Sequence, residues 1–178
     1  MTIRRFVLCL LLLTLALPCS ARKIKTVAGT HANFVGYKTY QWLPVKTLGK
    51  AGIVEDDPAV TPVIKDAVNR EMAALGLTEV KENADLQVAA FASTTSVPQL
   101  EAVIFAGHMD LDFATPIASM GRYNKEGTLA INLIDTRTKQ SAWAGLATDS
   151  IDNKPGSGAK KIPGATAALF SKYPAKKK

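Results

Sequence analysis

The chain is poor in the residues that most often do chemistry. Its 178 residues include two cysteines, Cys9 and Cys19, and two histidines, His31 and His108. Both cysteines fall before residue 22, so a chain cleaved after Ala21 keeps no thiol. That excludes a disulfide framework, a thiolate nucleophile and a cysteine zinc site. A serine triad needs a histidine base, and His31 sits in a polar stretch read as an extended arm. Aromatic residues make up 7% of the chain, and no aromatic and basic stripe marks a nucleic-acid surface. After the leader, no stretch is apolar enough to span a bilayer.

What is present begins with the leader, MTIRRFVLCLLLLTLALPCSA. Arg4 and Arg5 precede an apolar run of 12 residues, Phe6 to Leu17, broken only by Thr14. Small residues follow at Cys19, Ser20 and Ala21. This is the order of a secretory signal peptide, and the run falls short of the roughly 20 residues a spanning helix needs. Residues 1–21 are read as a signal peptide, which places the mature chain in the periplasm or cell envelope. Lipidation at Cys19 is a second reading that would anchor the chain to a membrane. Against it, Pro18 stands where lipoprotein signals carry a small residue.

Charge is moderately basic, with 22 Lys and Arg against 15 Asp and Glu. Without Arg4 and Arg5 the count is 20 against 15, a net charge of +5. Part of the excess lies at the ends, in Arg22, Lys23 and Lys25 and in Lys176, Lys177 and Lys178. Such runs are solvated tails that can meet anionic lipid or cell-wall polymer. Residues 22–33 read as an extended N-terminal arm, 34–174 as a single domain and 175–178 as a basic tail.

Within the domain, Tyr37 to Leu43 is aromatic and β-prone and ends at Pro44, which predicts a strand over 37–43. Val45 to Glu55, with Gly49 and Gly52, reads as a loop. Asp56-Asp57-Pro58 predicts a helix start. The apolar spacing of Val60, Val63, Ile64, Ala67, Val68, Met72 and Leu75 carries that helix to about 75, and Gly76 supplies a left-handed stop. Asp85 to Ser93 is a second strand. Gly127 to Thr148 is the clearest element, two β-forming runs around a polar break from Asp135 to Gln140, and so a hairpin. Trp143 anchors its second run among small neighbours. A final helix is expected over 160–172, with Pro163 in its first turn.

Glu101 to Phe113 carries the chain's one metal-capable cluster. Read as a strand, it aligns His108, Asp110 and Asp112 on one face. The ordinary reading is a polar edge strand, since alternate positions stand about 7 Å apart, wide for shared ligation. Ser157-Gly-Ala-Lys160 matches S-x-x-K, but neither K-T-G nor S-D-N accompanies it.

Taken in order, several motifs resemble a known family. They are Tyr37-Lys-Thr-Tyr-Gln-Trp-Leu-Pro44, the Asp-Pro helix ending at Gly76, Ala84-Asp85-Leu86, Glu126-Gly127-Thr128-Leu129, Asp135-Thr-Arg-Thr138 and Trp143-Ala-Gly145. Over about 34–174 the chain resembles the DUF4136 family of exported bacterial proteins, often lipoproteins, which have no assigned activity. The resemblance implies a compact α+β domain in the cell envelope and carries over no catalytic residue.

The expected architecture is α+β, a two-layer sandwich in which a mainly antiparallel sheet of four or five strands bears two helices on one face. The expected function is a non-enzymatic binding or accessory module, without a cofactor. Its partner would be an envelope protein, a lipid or a cell-wall component, and not nucleic acid. Two alternatives stand beside it. One is a metal-binding protein or metal-dependent hydrolase using His108, Asp110 and Asp112. The other is a structural envelope protein that contacts anionic surfaces through its basic ends.

Overall fold

A computed structural model describes residues 22–49, 52–94, 126–152, 154 and 156–174. The expected strand over 101–113, the leader and the tail lie outside the described residues. The described elements run β1 (Lys23–Ala28), β2 (Thr39–Trp42), β3 (Lys46–Gly49), β4 (Gly52–Glu55), α1 (Thr61–Ala74), β5 (Thr78–Glu79), β6 (Leu86–Ser93), β7 (Glu126–Asp135), β8 (Ser141–Ser150) and α2 (Ser157–Phe170).

The hairpin β7–β8 forms where its pattern predicts it, with Leu129 opposite Ala147 and Leu133 opposite Trp143. Asp135 closes the turn. Its Oδ1 accepts the amides of Arg137 at 2.8 Å and Thr138 at 2.9 Å. Its carbonyl accepts the amide of Lys139, which takes a left-handed φ of 58°. An aspartate at the first turn position thus folds the break around its own side chain.

Antiparallel pairing continues on both flanks of the hairpin. Strand β6 pairs with β7, and β1 pairs with β8 from Lys23 opposite Thr148 to Ala28 opposite Trp143. The stretch read as an extended arm is therefore a strand hydrogen-bonded along β8.

Beyond β6 the sheet departs from expectation. Strands β2 and β3 both pair with β6 in parallel, and β5 pairs with β2 in parallel. The helix explains this, because a helical crossover returns the chain in its original direction, and the next strand then lies parallel. The stretch read as a loop, 45–55, forms the hairpin β3–β4. Gly52, at a φ of 110°, turns it, a conformation only glycine adopts without strain. Strands β2 and β3 are two pieces of one edge along β6, interrupted at Pro44, which has no amide to donate. The architecture is α+β, as expected. The mainly antiparallel sheet of four or five strands in a two-layer sandwich is corrected to a mixed sheet of eight described strands with two helices.

One core joins the sheet to both helices. Leu86, Val88, Leu129, Ile131, Leu133 and Trp143 share it with Ile64, Val68 and Met72 of α1 and with Ile162 and Leu169 of α2. The buried stripe of α1 is the predicted one, although regular helix begins at Thr61 after a turn over 57–60. Asp57 does not cap the helix as expected, because its Oδ1 accepts the Ala59 amide at 2.8 Å within the preceding turn and Val60 stands at the helix N-cap. Gly76, at a φ of 79°, stops the helix, and Leu77 folds back with its amide on the Met72 carbonyl. Helix α2 starts earlier than expected, at Ser157, which puts Pro163 in its second turn and leaves the Ala159 carbonyl without its helical donor. The opposite sheet face is also buried at Ala89, Phe91, Ala130 and Ala144.

Two side chains fix how the helices seat. Asn69 of α1 accepts both the Tyr40 hydroxyl at 3.0 Å and the Trp42 indole at 2.9 Å. Its amide nitrogen donates to Glu79. Trp143 lies fully buried against Phe170 and Tyr173, with ring centroids 5.2 and 5.6 Å away. Its ring folds over Gly145, where an added Cβ would stand 2.9 Å from both Trp143 Cη2 and Leu169 Cδ2.

Replacing Gly145 with valine should force that ring and Leu169 aside and cost about 1–3 kcal/mol. The urea midpoint measures the loss, and a midpoint equal to wild type would mean the ring has room to move. Asn69→Leu should cost about 2 kcal/mol by leaving the Tyr40 and Trp42 donors unmet, with Asn69→Asp, which keeps the acceptor, losing less.

Candidate functional site

Where β3–β4 meets the ends of β6, β7 and β8 and the start of α2, the described residues line a half-open cavity of about 440 Å³. That volume lies within the roughly 300–1,000 Å³ of small-molecule sites. Among the described residues its wall is mostly aliphatic, with Leu48, Val54, Val60, Leu129, Ile151 and Ile162 supplying the large side chains. Alanine at 92, 147, 159 and 165 and glycine at 49, 52, 127 and 158 supply the small ones. The small residues make the space. At Gly127 an added Cβ would stand 3.0 Å from Ile151 Cγ2, so glycine lets the start of β7 approach that side chain. At Gly49 and Gly158 an added Cβ would meet nothing within 4 Å.

Charge gathers at one part of this wall. Asp149, with its side chain only 11% exposed, receives Arg22 Nη2 at 3.0 Å and Lys161 Nζ at 3.1 Å. Arg22 Nε also donates to it at 3.1 Å. Arg22 Nη1 then reaches the Gly164 carbonyl at 2.6 Å, and Lys161 Nζ the Ser150 carbonyl at 2.6 Å. The cluster ties the start of β1, the end of β8 and helix α2 together beside the cavity. Burial pushes the Asp149 carboxyl up, but the hydrogen bonds and charges of Lys161 and Arg22 outweigh it and hold it below the usual carboxylate range.

A second cavity, of about 430 Å³, opens at the other end of the hairpin. His31, Tyr37, Asp135, Lys139 and Gln140 are among its lining residues. The Tyr37 hydroxyl donates to Asp135 Oδ2 at 2.9 Å and accepts the Asn33 amide at 3.2 Å. Burial alone would raise the Asp135 pKa, yet the Thr138 amide, the Tyr37 hydroxyl and the Arg137 amide bring it below its ordinary value. Desolvation pushes the Tyr37 hydroxyl up. Asp85 is similar in kind. The amide of Lys38, then the amide and hydroxyl of Thr39, hold it low against burial. Each of these aspartates is ionised and committed to backbone or side-chain donors. They clamp turns and strand ends.

Among the described residues, no group of three or more His, Cys, Asp or Glu side chains converges as a metal site. His108, Asp110 and Asp112, the residues expected to bind metal, lie outside the described residues, as does Cys19. No helix of the described residues is long and apolar enough to cross a membrane. The cavity was not legible in the sequence. Its lining comes from seven separate stretches of chain, and the only local hint was the density of glycine at 49, 52, 127 and 158.

Fold and cavity define a class, an α+β domain whose mixed sheet, helices and inserted hairpin border a mostly aliphatic, half-open cavity. The chain belongs to the DUF4136 family, described as a domain of unknown function, whose family model matches residues 24–175. No curated protein matches it. Among solved structures, a DUF4136 family protein from Bacteroides thetaiotaomicron superposes with a TM-score of 0.58 at 12% identity, covering 84% of this chain and 94% of that one. A PelC dodecamer from Paraburkholderia phytofirmans gives a TM-score of 0.51 at 9% identity, covering 85% and 96%. A PDZ domain protein from Parabacteroides distasonis gives 0.51 at 17% identity, covering 86% of this chain and 37% of that one. At these identities the likeness is one of fold.

Lowered aspartates make stability sensitive to acid. Their folded pKa values lie below the unfolded ones, so what they contribute is present above about pH 4 and lost as the pH falls through the folded values. Chemical denaturation from neutral pH downward should show stability declining only below about pH 4. Asp149→Asn should be weaker at neutral pH and fall less steeply in acid. A parallel curve for that variant would show that the Arg22 and Lys161 pairing contributes nothing.

Proposed function

We propose that the protein is an exported accessory module of the cell envelope that works by binding. The observation that carries this reading is the aliphatic cavity of about 440 Å³, a volume suited to a small molecule and a wall suited to an apolar one. The leader, with its basic start, apolar run of 12 residues and small residues before Arg22, supports export. The commitment of Asp85, Asp135 and Asp149 to structural donors supports binding over acid–base catalysis. Of the three partner classes, envelope protein, lipid and cell-wall component, the lipid fits this cavity best. PelC, a protein of this fold, is a dodecamer, and self-assembly is part of the reading.

Native mass spectrometry of the protein released from the envelope without denaturation tests it. The expected species begins at Arg22 and carries excess mass belonging to an apolar ligand. A bare monomer from several gentle extractions would overturn the reading. Excess mass equal to a divalent metal ion would transfer it to His108, Asp110 and Asp112. Acyl mass on a chain beginning at Cys19 would establish a lipid anchor instead of cleavage after Ala21.

A further inference from the structure

We infer that the cavity is a site for one acyl chain of an anionic amphiphile, with the head group held at Lys161. The inference rests on the binding reading above and names its ligand. Three observations carry it.

The first is the chemistry of the wall. Among the described lining residues there is no aromatic ring, and the large side chains are mostly aliphatic, with Thr47, Ser93, Thr94 and Thr128 between them. Flat aromatic ligands gain most from ring partners, whereas a saturated chain needs only close dispersion contact with aliphatic groups. The second is extent. Helix α2 lines the cavity from Gly158 to Ala165, seven helical steps, or about 10 Å of wall. From there the lining reaches across the sheet ends to Gly49 and Gly52 of the β3–β4 hairpin. A wall of that extent gives a saturated chain aliphatic contact along its length.

The third is the charge on one part of the wall. Arg22, Lys161 and Asp149 form a single cluster, two cations around one carboxylate, with a net positive charge. Lys161 and Asp149 both line the cavity. An amphiphile with a carboxylate or phosphate head can add its charge to this cluster while its chain leaves water. The other lining carboxylate, Asp57, is engaged in the turn before α1, where its Oδ1 accepts the Ala59 amide.

Isothermal titration of delipidated protein with a series of saturated fatty acids, from eight carbons upward, tests the inference. Affinity should rise about fourfold for each added methylene, then level off when the cavity is full. Gly158→Leu should bring the plateau to shorter chains. This variant should fold, because a Cβ there meets no atom within 4 Å and leucine is the better helix former. Lys161→Gln should weaken every member of the series by about tenfold without moving the plateau.

Binding that is independent of chain length, or unchanged in Gly158→Leu, overturns the acyl assignment. If aromatic probes bind more tightly than fatty acids, the acyl assignment fails while the binding reading stands. If neither fatty acids nor aromatic probes bind, both fail.

Discussion

The structure depends on strand β7 being hydrogen-bonded along both edges. It meets β6 from Thr128 to Asp135 and β8 from Glu126 to Ile134. Because side chains alternate, those two registers place Leu129, Ile131 and Leu133 on one face beside Leu86, Val88, Trp143 and Ala147. A slip of one residue would turn that whole set to the other face. Asp135 sets the register from the hairpin end by closing the turn with two amides on one carboxylate oxygen. Its second oxygen takes the Tyr37 hydroxyl, so the same residue fixes the segment that leads into β2.

Around that strand the sheet has two different flanks. On the side of β8 the chain adds β1 in an ordinary antiparallel ladder. On the side of β6 it lays down a broken parallel edge, β2 then β3, with Pro44 in the gap. The break has a consequence for function. It frees β3 to turn back as the β3–β4 hairpin, and that hairpin stands over the sheet ends opposite the start of α2. The cavity is the space between them, kept open by glycines and alanines where larger side chains would fill it.

The charged residues follow a consistent logic. Asp85, Asp135 and Asp149 lie where chain segments remote in sequence meet, and each is held ionised by donors from another segment. A carboxylate surrounded by donors is a poor proton acceptor near neutral pH. It is, in return, an effective clamp, because leaving its partners unmet would be costly. Asp85 and Asp135 fix the far end of the hairpin, and Asp149 brings the basic start of β1 to the cavity's edge.

Much of this was legible one segment at a time. The hairpin, the α1 stripe with its Gly76 stop, the β6 run and the Asp135 turn are local patterns, encoded by alternation, helical spacing and turn chemistry within about 20 residues. The family resemblance was carried by the same local motifs. The sequence by itself determined the β7–β8 hairpin, the β6 run and the two helices, which face of each is apolar, and that no thiol remains beyond residue 21. Tertiary structure alone decided that β2 and β3 run parallel to β6, that 45–55 is a hairpin and that residues after Arg22 form an edge strand. It alone brought Arg22, Asp149 and Lys161 together across 139 positions of chain and opened a cavity among seven segments. The physical reason is that strand direction, long-range ion pairing and the space between elements are properties of segments meeting in space, and no single segment carries them.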